Sequence, residues 1–127
     1  WIIKRKREIG KKYHSLLRNN HKIIIQKLST SFADNIFWVF GVLLKKYVKI
    51  SKNRVLEKLS RNKIQARSFF CPMHKQDIFK KMKIFNNKKM YPNSEYLYKN
   101  GFYLPSGIAI KDHEIDYICK TLNKIID

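Results

Sequence analysis

The sequence predicts a small α/β fold of the α+β kind: a sheet of about three strands with helices packed on it, in a single domain spanning residues 1–127. Three observations point there. An apolar fraction of 44% is too high for a disordered chain, even one of high charge, and 127 residues close one modest core but not two. Apolar spacing alternates along the chain between a helical period and short β-branched runs, in the order helix, strand, helix, strand, helix, strand, helix. No internal repeat or low-complexity tract interrupts that order.

Residues Ile2 to Leu17 place Ile2, Ile9, Tyr13, Leu16 and Leu17 on one helical stripe, with Asn19 and Asn20 as its stop. "KIIIQKL" is short and β-branched and is predicted extended; "STSFADN" is a polar connection. Phe37 to Leu44 reads as a buried, continuous strand, with Gly41 marking a bulge or close backbone approach and Trp38 as a core anchor. Ser51 is predicted to cap a helix through Val55, Leu56 and Leu59 that ends at Arg61 and Asn62. "KIQARSF" is the next strand, and Pro72 breaks it.

A short amphipathic turn at Ile78, Phe79 and Met82 leads into a basic, asparagine-bearing loop that runs to Lys89. Pro92 to Asn100 has proline in its first turn and Gly101 after its last, the asymmetry helices favour. "FYLPSG" is a strand ending in a turn. Asp112 to Ile126 carries the clearest helical face: Ile115, Ile118, Cys119, Leu122, Ile125 and Ile126.

The formal charge of +19 points to a phosphate-bearing partner, whether nucleic acid, anionic lipid or metabolite. Basic residues run from Lys4 to Lys124 rather than gathering in one arm, which favours solvated faces over a dedicated nucleic-acid surface. The most apolar run, Ile36 to Leu44, is too short for a bilayer, so no membrane association is expected. Two cysteines make no disulfide framework, which predicts a reducing cytoplasm. The chain opens on Trp1, Ile2 and Ile3 in mid-pattern, without an initiator methionine or signal peptide, and is expected to be part of a longer protein.

Chemistry concentrates in "RSFFCPMHKQ", Arg67 to Gln76. A zinc site from Cys71, His74, His113 and Cys119 is disfavoured by loose spacing, and Cys119 falls on an apolar helix face. A Cys71 nucleophile with His74 as base has Pro72 between the two and only Asp77 nearby to orient it. A single-strand nucleic-acid surface would use lysines interleaved with Phe69, Phe70, Phe79, Phe85, Tyr91, Tyr96, Tyr98, Phe102 and Tyr103. Many of those aromatics occupy positions a core would want.

The ordered pieces "KRKREIGKKYHSLL", "IFWVFGVLL", "LSRNKIQARSFFCPMHKQ" and "YPNSEYLYKNGFYLPSG", with the closing amphipathic helix, resemble the C-terminal small domain of the DegT/DnrJ/EryC1/StrS family of sugar aminotransferases. Within that family the resemblance is to the perosamine synthase type. The resemblance implies a fold-type I enzyme that uses pyridoxal phosphate and works as a homodimer through a large domain. It passes an amino group from glutamate to a nucleotide-linked keto-sugar in the cytoplasm, in O-antigen or lipopolysaccharide biosynthesis. It also implies that the large domain, with the Schiff-base lysine and phosphate cup, lies outside this chain. No catalytic, cofactor-binding or metal residue is therefore assigned here. Pyridoxal phosphate is not expected to bind this chain alone, and the isolated chain is expected to be inactive.

Arg67, Phe69, Pro72, Met73 and His74 match the family's substrate-facing loop, so Arg67, His74, Phe69, Phe70 and Met73 are the implied substrate contacts. Arg67 suits a forked contact to phosphate, and His74 a sugar hydroxyl or phosphate. Of Phe69 and Phe70, one would line the sugar or base pocket and the other enter the core, because strand neighbours face opposite ways. Asp77 stands where the family often has proline. The alternative reading is a freestanding basic nucleic-acid-binding module.

Overall fold

The computed structural model of the chain describes residues 1–85 and 90–127. Helix α1 (Ile2–Leu17) leads to strands β1 (Ile23–Ile25) and β2 (Phe40–Leu44). Helix α2 (Lys52–Arg61) precedes a two-residue β3 (Arg67–Ser68), a 3-10 turn (Met73–Lys75) and a short α3 (Asp77–Lys81). Helix α4 (Pro92–Asn100) runs directly into β4 (Gly101–Leu104), and α5 (Asp112–Ile126) follows. The end of the basic loop predicted up to Lys89 lies outside the described residues.

Among the described residues all strand pairings are antiparallel, in the order β1-β2-β4-β3, so the fold is α+β with four strands rather than about three. "KIQARSF" contributes only Arg67 and Ser68 to the ladder, against Tyr103 and Phe102. Ser51 caps α2 as predicted, its hydroxyl accepting from the Arg54 N–H at 3.3 Å. Gly101 follows α4 in an extended rather than left-handed conformation (φ −98°), which lets the helix pass straight into β4.

One face of the sheet makes the core. Phe40, Val42 and Leu44 of β2 and Phe102 and Leu104 of β4 meet Ile9, Tyr13 and Leu17 of α1, Val55 and Leu59 of α2, and Ile115, Ile118 and Leu122 of α5. Tyr13 stacks on Phe40 with ring centroids 4.8 Å apart and donates its hydroxyl to the Pro105 carbonyl at 2.7 Å. Burial pushes that phenol well above its ordinary pKa, so it serves as a permanent donor. Ile2 and Leu16, predicted on the apolar stripe of α1, are exposed instead. No described helix is long and apolar enough to cross a membrane.

Trp38 departs from its predicted role as core anchor: it is 66% exposed. The cause is Phe37, which adopts a left-handed conformation (φ 51°) with its N–H bonded to the Asn35 side-chain oxygen at 2.7 Å. A regular strand of the Phe40, Val42, Leu44 parity would carry Trp38 inward and Phe37 outward. The left-handed residue reverses that parity, so Phe37 takes the core place at 2% exposure and the strand begins only at Phe40.

Phe37 fits because α1 has a glycine beneath it: a Cβ on Gly10 would lie 2.1 Å from the Phe37 ring. Alanine at position 10 would gain about 1 kcal/mol of helix propensity, yet overpacking a buried aromatic costs roughly 1–3 kcal/mol. Gly10→Ala is therefore expected to lower the melting temperature despite the better helix former. Gly107→Ala, where an added Cβ meets nothing within 4 Å, is expected to leave it unchanged. Thermal and denaturant unfolding of the two variants would check the contrast.

Candidate functional site

The second face of the sheet is shaped by small residues. In the register of β2 and β4, Gly41 lies opposite Tyr103 and Gly101 opposite Leu43, all pointing away from the core. The ring of Phe69 lies across this floor. A Cβ on Gly101 would stand 2.3 Å from the ring and 2.5 Å from the Leu97 carbonyl, and one on Gly41 would stand 3.0 Å from the ring tip. The Phe69 N–H also bonds the Gly101 carbonyl at 3.1 Å, extending the β3–β4 ladder by one residue. Two glycines thus make the flat bed on which the Phe69 ring rests.

Above that bed is a cavity of about 780 Å³, walled chiefly by Trp38, Phe70, Met73, His74, Tyr91 and Tyr103. The predicted residues Phe69, Phe70, Met73 and His74 all reach it. Arg67 does not line it; it is exposed on β3 opposite Tyr103, and so shares that residue's face of the sheet. Neither phenylalanine enters the core: Phe69 is half-buried on the glycine floor and Phe70 is 70% exposed.

His74 sits in the 3-10 turn with its ring stacked on Tyr91, centroids 4.6 Å apart. Its Nε2 is 3.3 Å from a Glu95 carboxylate oxygen, and the other Glu95 oxygen is 3.1 Å from Lys75 Nζ. Lys75, and secondarily His74, hold the Glu95 carboxyl below its ordinary pKa. This exposed pair of contacts ties the turn to α4.

A second anchor comes from Lys52, whose ammonium donates to the Ser68 hydroxyl and the Tyr98 carbonyl, each at 2.6 Å, and lies 4.8 Å from the centroid of the Tyr98 ring. Burial lowers its pKa. One side chain of α2 thereby fastens β3 to the end of α4.

The proposed metal ligands do not converge. Cys119 is in the core, and among the described residues no group of three or more His, Cys, Asp or Glu gathers around a common point. Burial pushes the Cys119 thiol up to about 12, which leaves it unreactive at neutral pH. Nor do the interleaved aromatics form one row: Phe102 is fully buried, and Tyr96 donates its hydroxyl to the Leu44 carbonyl at 2.9 Å.

The sequence profile of the DegT/DnrJ/EryC1/StrS aminotransferase family matches residues 1–123. The chain belongs to this family. GDP-perosamine synthase of Vibrio cholerae is 25% identical over 121 residues, which are 95% of this chain and 32% of that protein. A proposed sugar aminotransferase of Streptococcus pneumoniae, solved in its PMP form, superposes with a TM-score of 0.83 at 19% identity, over 98% of this chain and 30% of that one. The Escherichia coli GDP-4-keto-6-deoxy-D-mannose-3-dehydratase, solved with bound hydrated PLP, gives a TM-score of 0.74 at 20% identity, covering 95% and 31%. The chain therefore spans about a third of the length of these relatives.

Within this family member, sequence reasoning missed three residues that shape the cavity region. Trp38 was hidden by the inverted parity at Phe37, for which Asn35, a residue apt to bond the backbone two positions on, was the available signal. Glu95 was legible only as a helix-surface carboxylate. Lys52 looked like one lysine among many, and nothing in its local sequence distinguishes it.

Two outcomes follow from this geometry. A thiol reagent is expected to modify Cys71 in the folded chain and reach Cys119 only after unfolding, which mass spectrometry of the labelled peptides would show. Because the folded Glu95 carboxyl is depressed, its contribution to stability is complete above the ordinary carboxylate range and is lost as pH falls through the lowered value. Denaturation midpoints measured from neutral to acid pH should thus fall less steeply in Glu95→Gln than in the parent chain.

Proposed function

We propose that residues 1–127 form the C-terminal small domain of a pyridoxal-phosphate-dependent nucleotide-sugar aminotransferase of the perosamine synthase type. In this reading the Arg67–Gln76 segment walls the substrate. The observation that carries it is the family match over residues 1–123, joined to an aromatic cavity to which the segment that the resemblance turns toward substrate contributes Phe69, Phe70, Met73 and His74. The fold alone does not choose the reaction, since it is shared with a dehydratase. Amino transfer is favoured by the family profile and by the Vibrio cholerae relative.

The aromatic cavity does not fit pyridoxal phosphate. Such a group needs a lysine amine, a carboxylate for its ring nitrogen and an anion cup in one cavity, and among the described residues no lysine, aspartate or glutamate lines this one. The two lysines lowered by burial, Lys6 and Lys52, spend their ammonium groups on the Ser106 carbonyl and on Ser68 and Tyr98. The reading places the electron-sink chemistry, the dimer contact and the glutamate donor in a large domain outside this chain.

What this chain contributes is positioning. The Arg67 guanidinium, on an exposed edge strand, is free to make a forked contact to a phosphate of the nucleotide-sugar. The His74 imidazole, held against Tyr91 and Glu95, presents a fixed ring edge to a sugar hydroxyl or phosphate. The soluble keto-sugar and glutamate substrates assign the reaction to the cytoplasm.

Two experiments test the proposal. Incubating the chain with pyridoxal phosphate and then borohydride should leave no stoichiometric lysine adduct by mass spectrometry; a single fully modified lysine would overturn the assignment of cofactor chemistry elsewhere. In the longer enzyme that this proposal implies, Arg67→Ala and His74→Ala should each raise KM for the nucleotide-sugar about tenfold, the loss of one charge-assisted contact. Unchanged KM in both variants would remove this segment from the substrate wall.

A further inference from the structure

We infer that Trp38 and Phe70 form a stacking platform for the base of a nucleoside diphosphate, a role that rests on the substrate-wall reading above. The two rings are parallel to within 9°, with centroids 6.5 Å apart, and Tyr103 lies beside Phe70 at 6.3 Å with its ring tilted by 35°. Trp38 and Phe70 are 66% and 70% exposed although both line the cavity. Large aromatics left open and aligned are unfavourable as mere surface and mark a site that another flat group completes.

The backbone is arranged to produce this exposure. The left-handed Phe37 turns Trp38 out of the core, and the two-residue β3 ends before Phe70, which departs from the sheet beside it. Phe69 is not part of the platform, since its ring is committed to the floor over Gly41 and Gly101.

Charge selects the occupant. Arg67 shares the sheet face of Tyr103, so a base resting on Trp38 and Phe70 directs its ribose and diphosphate along that face toward a guanidinium. Among the described residues no carboxylate lines the cavity to repel the diphosphate, and the chain as a whole carries +19. Sugar rings alone would gain less from a pair of parallel π-faces than a planar heterocycle does.

The chain supplies its own reporter, because Trp1 and Trp38 are its two tryptophans. In a Trp1→Phe background, titration with GDP or UDP should quench Trp38 fluorescence saturably, whereas ribose 5-phosphate and inorganic pyrophosphate should not. Phe70→Ala should weaken nucleotide binding about tenfold or more, the usual consequence of removing one stacking ring. Trp38→Ala, followed by calorimetry, should do the same, and Trp38→Phe should restore most of the affinity. Circular dichroism would verify that these exposed-site variants fold.

If GDP and UDP bind by calorimetry with the same Kd in the parent, Trp38→Ala and Phe70→Ala chains, the platform is wrong while the substrate-wall reading stands. If neither nucleotides nor nucleotide-sugars bind, the substrate-wall reading fails and the platform with it. A single-stranded oligonucleotide that binds far more tightly than GDP, with loss on Trp38→Ala, would also overturn the proposal by assigning the platform to nucleic acid.

Discussion

The ring of Phe37 pressed against the bare backbone of Gly10 is the contact on which the rest of the architecture turns. It joins the first helix to the segment entering β2, and it holds a residue in the left-handed region that a bulky side chain seldom occupies. Without that burial only the Asn35 side-chain bond would offset the backbone cost, and the segment would be freer to run as an ordinary strand. An ordinary strand would send Trp38 into the core and remove it from the cavity. Core packing and cavity lining are therefore set by the same residue, one face each.

The two faces of the sheet are built by opposite means. On the core side, large apolar residues from β2, β4 and three helices interdigitate. On the other side, glycines at 41 and 101 clear space so that Phe69 can lie flat, and Met73 and His74 line the same cavity as that ring. Polar anchors fix the edges of this second layer: Lys52 from below and the Glu95 contacts from α4. The layer is thus held by a few directional contacts, whereas the core is held by area.

The helices were readable because their signals are local. Ser51 as a cap, Pro92 in a first turn and the spacing of Ile115, Ile118 and Leu122 each specify an element without reference to distant residues. The strands were readable as extended segments, but their lengths were not, because β3 exists only through pairing with β4. The loop was readable through resemblance, which singled out Phe69, Phe70, Met73 and His74, all of which reach the cavity. What stayed hidden depends on contacts between residues far apart: Trp38 through the Phe37 turn beside Gly10, and Lys52 through Ser68 and Tyr98.

One habit of this chain has a wider physical meaning. With 28 basic and 9 acidic side chains, most cations have no carboxylate to meet, and several bond backbone carbonyls: Lys6 at Ser106 and Lys52 at Tyr98, and, beside a carboxylate, Arg5 at Ile108 and Ile110 and Lys22 at Asp127. A carbonyl accepts without cancelling the charge. The molecule is therefore held together by its lysines and arginines while remaining a polycation, and its cohesion and its long-range field draw on the same side chains. Such a surface retains its pull on anions at a distance even where every ammonium is structurally employed.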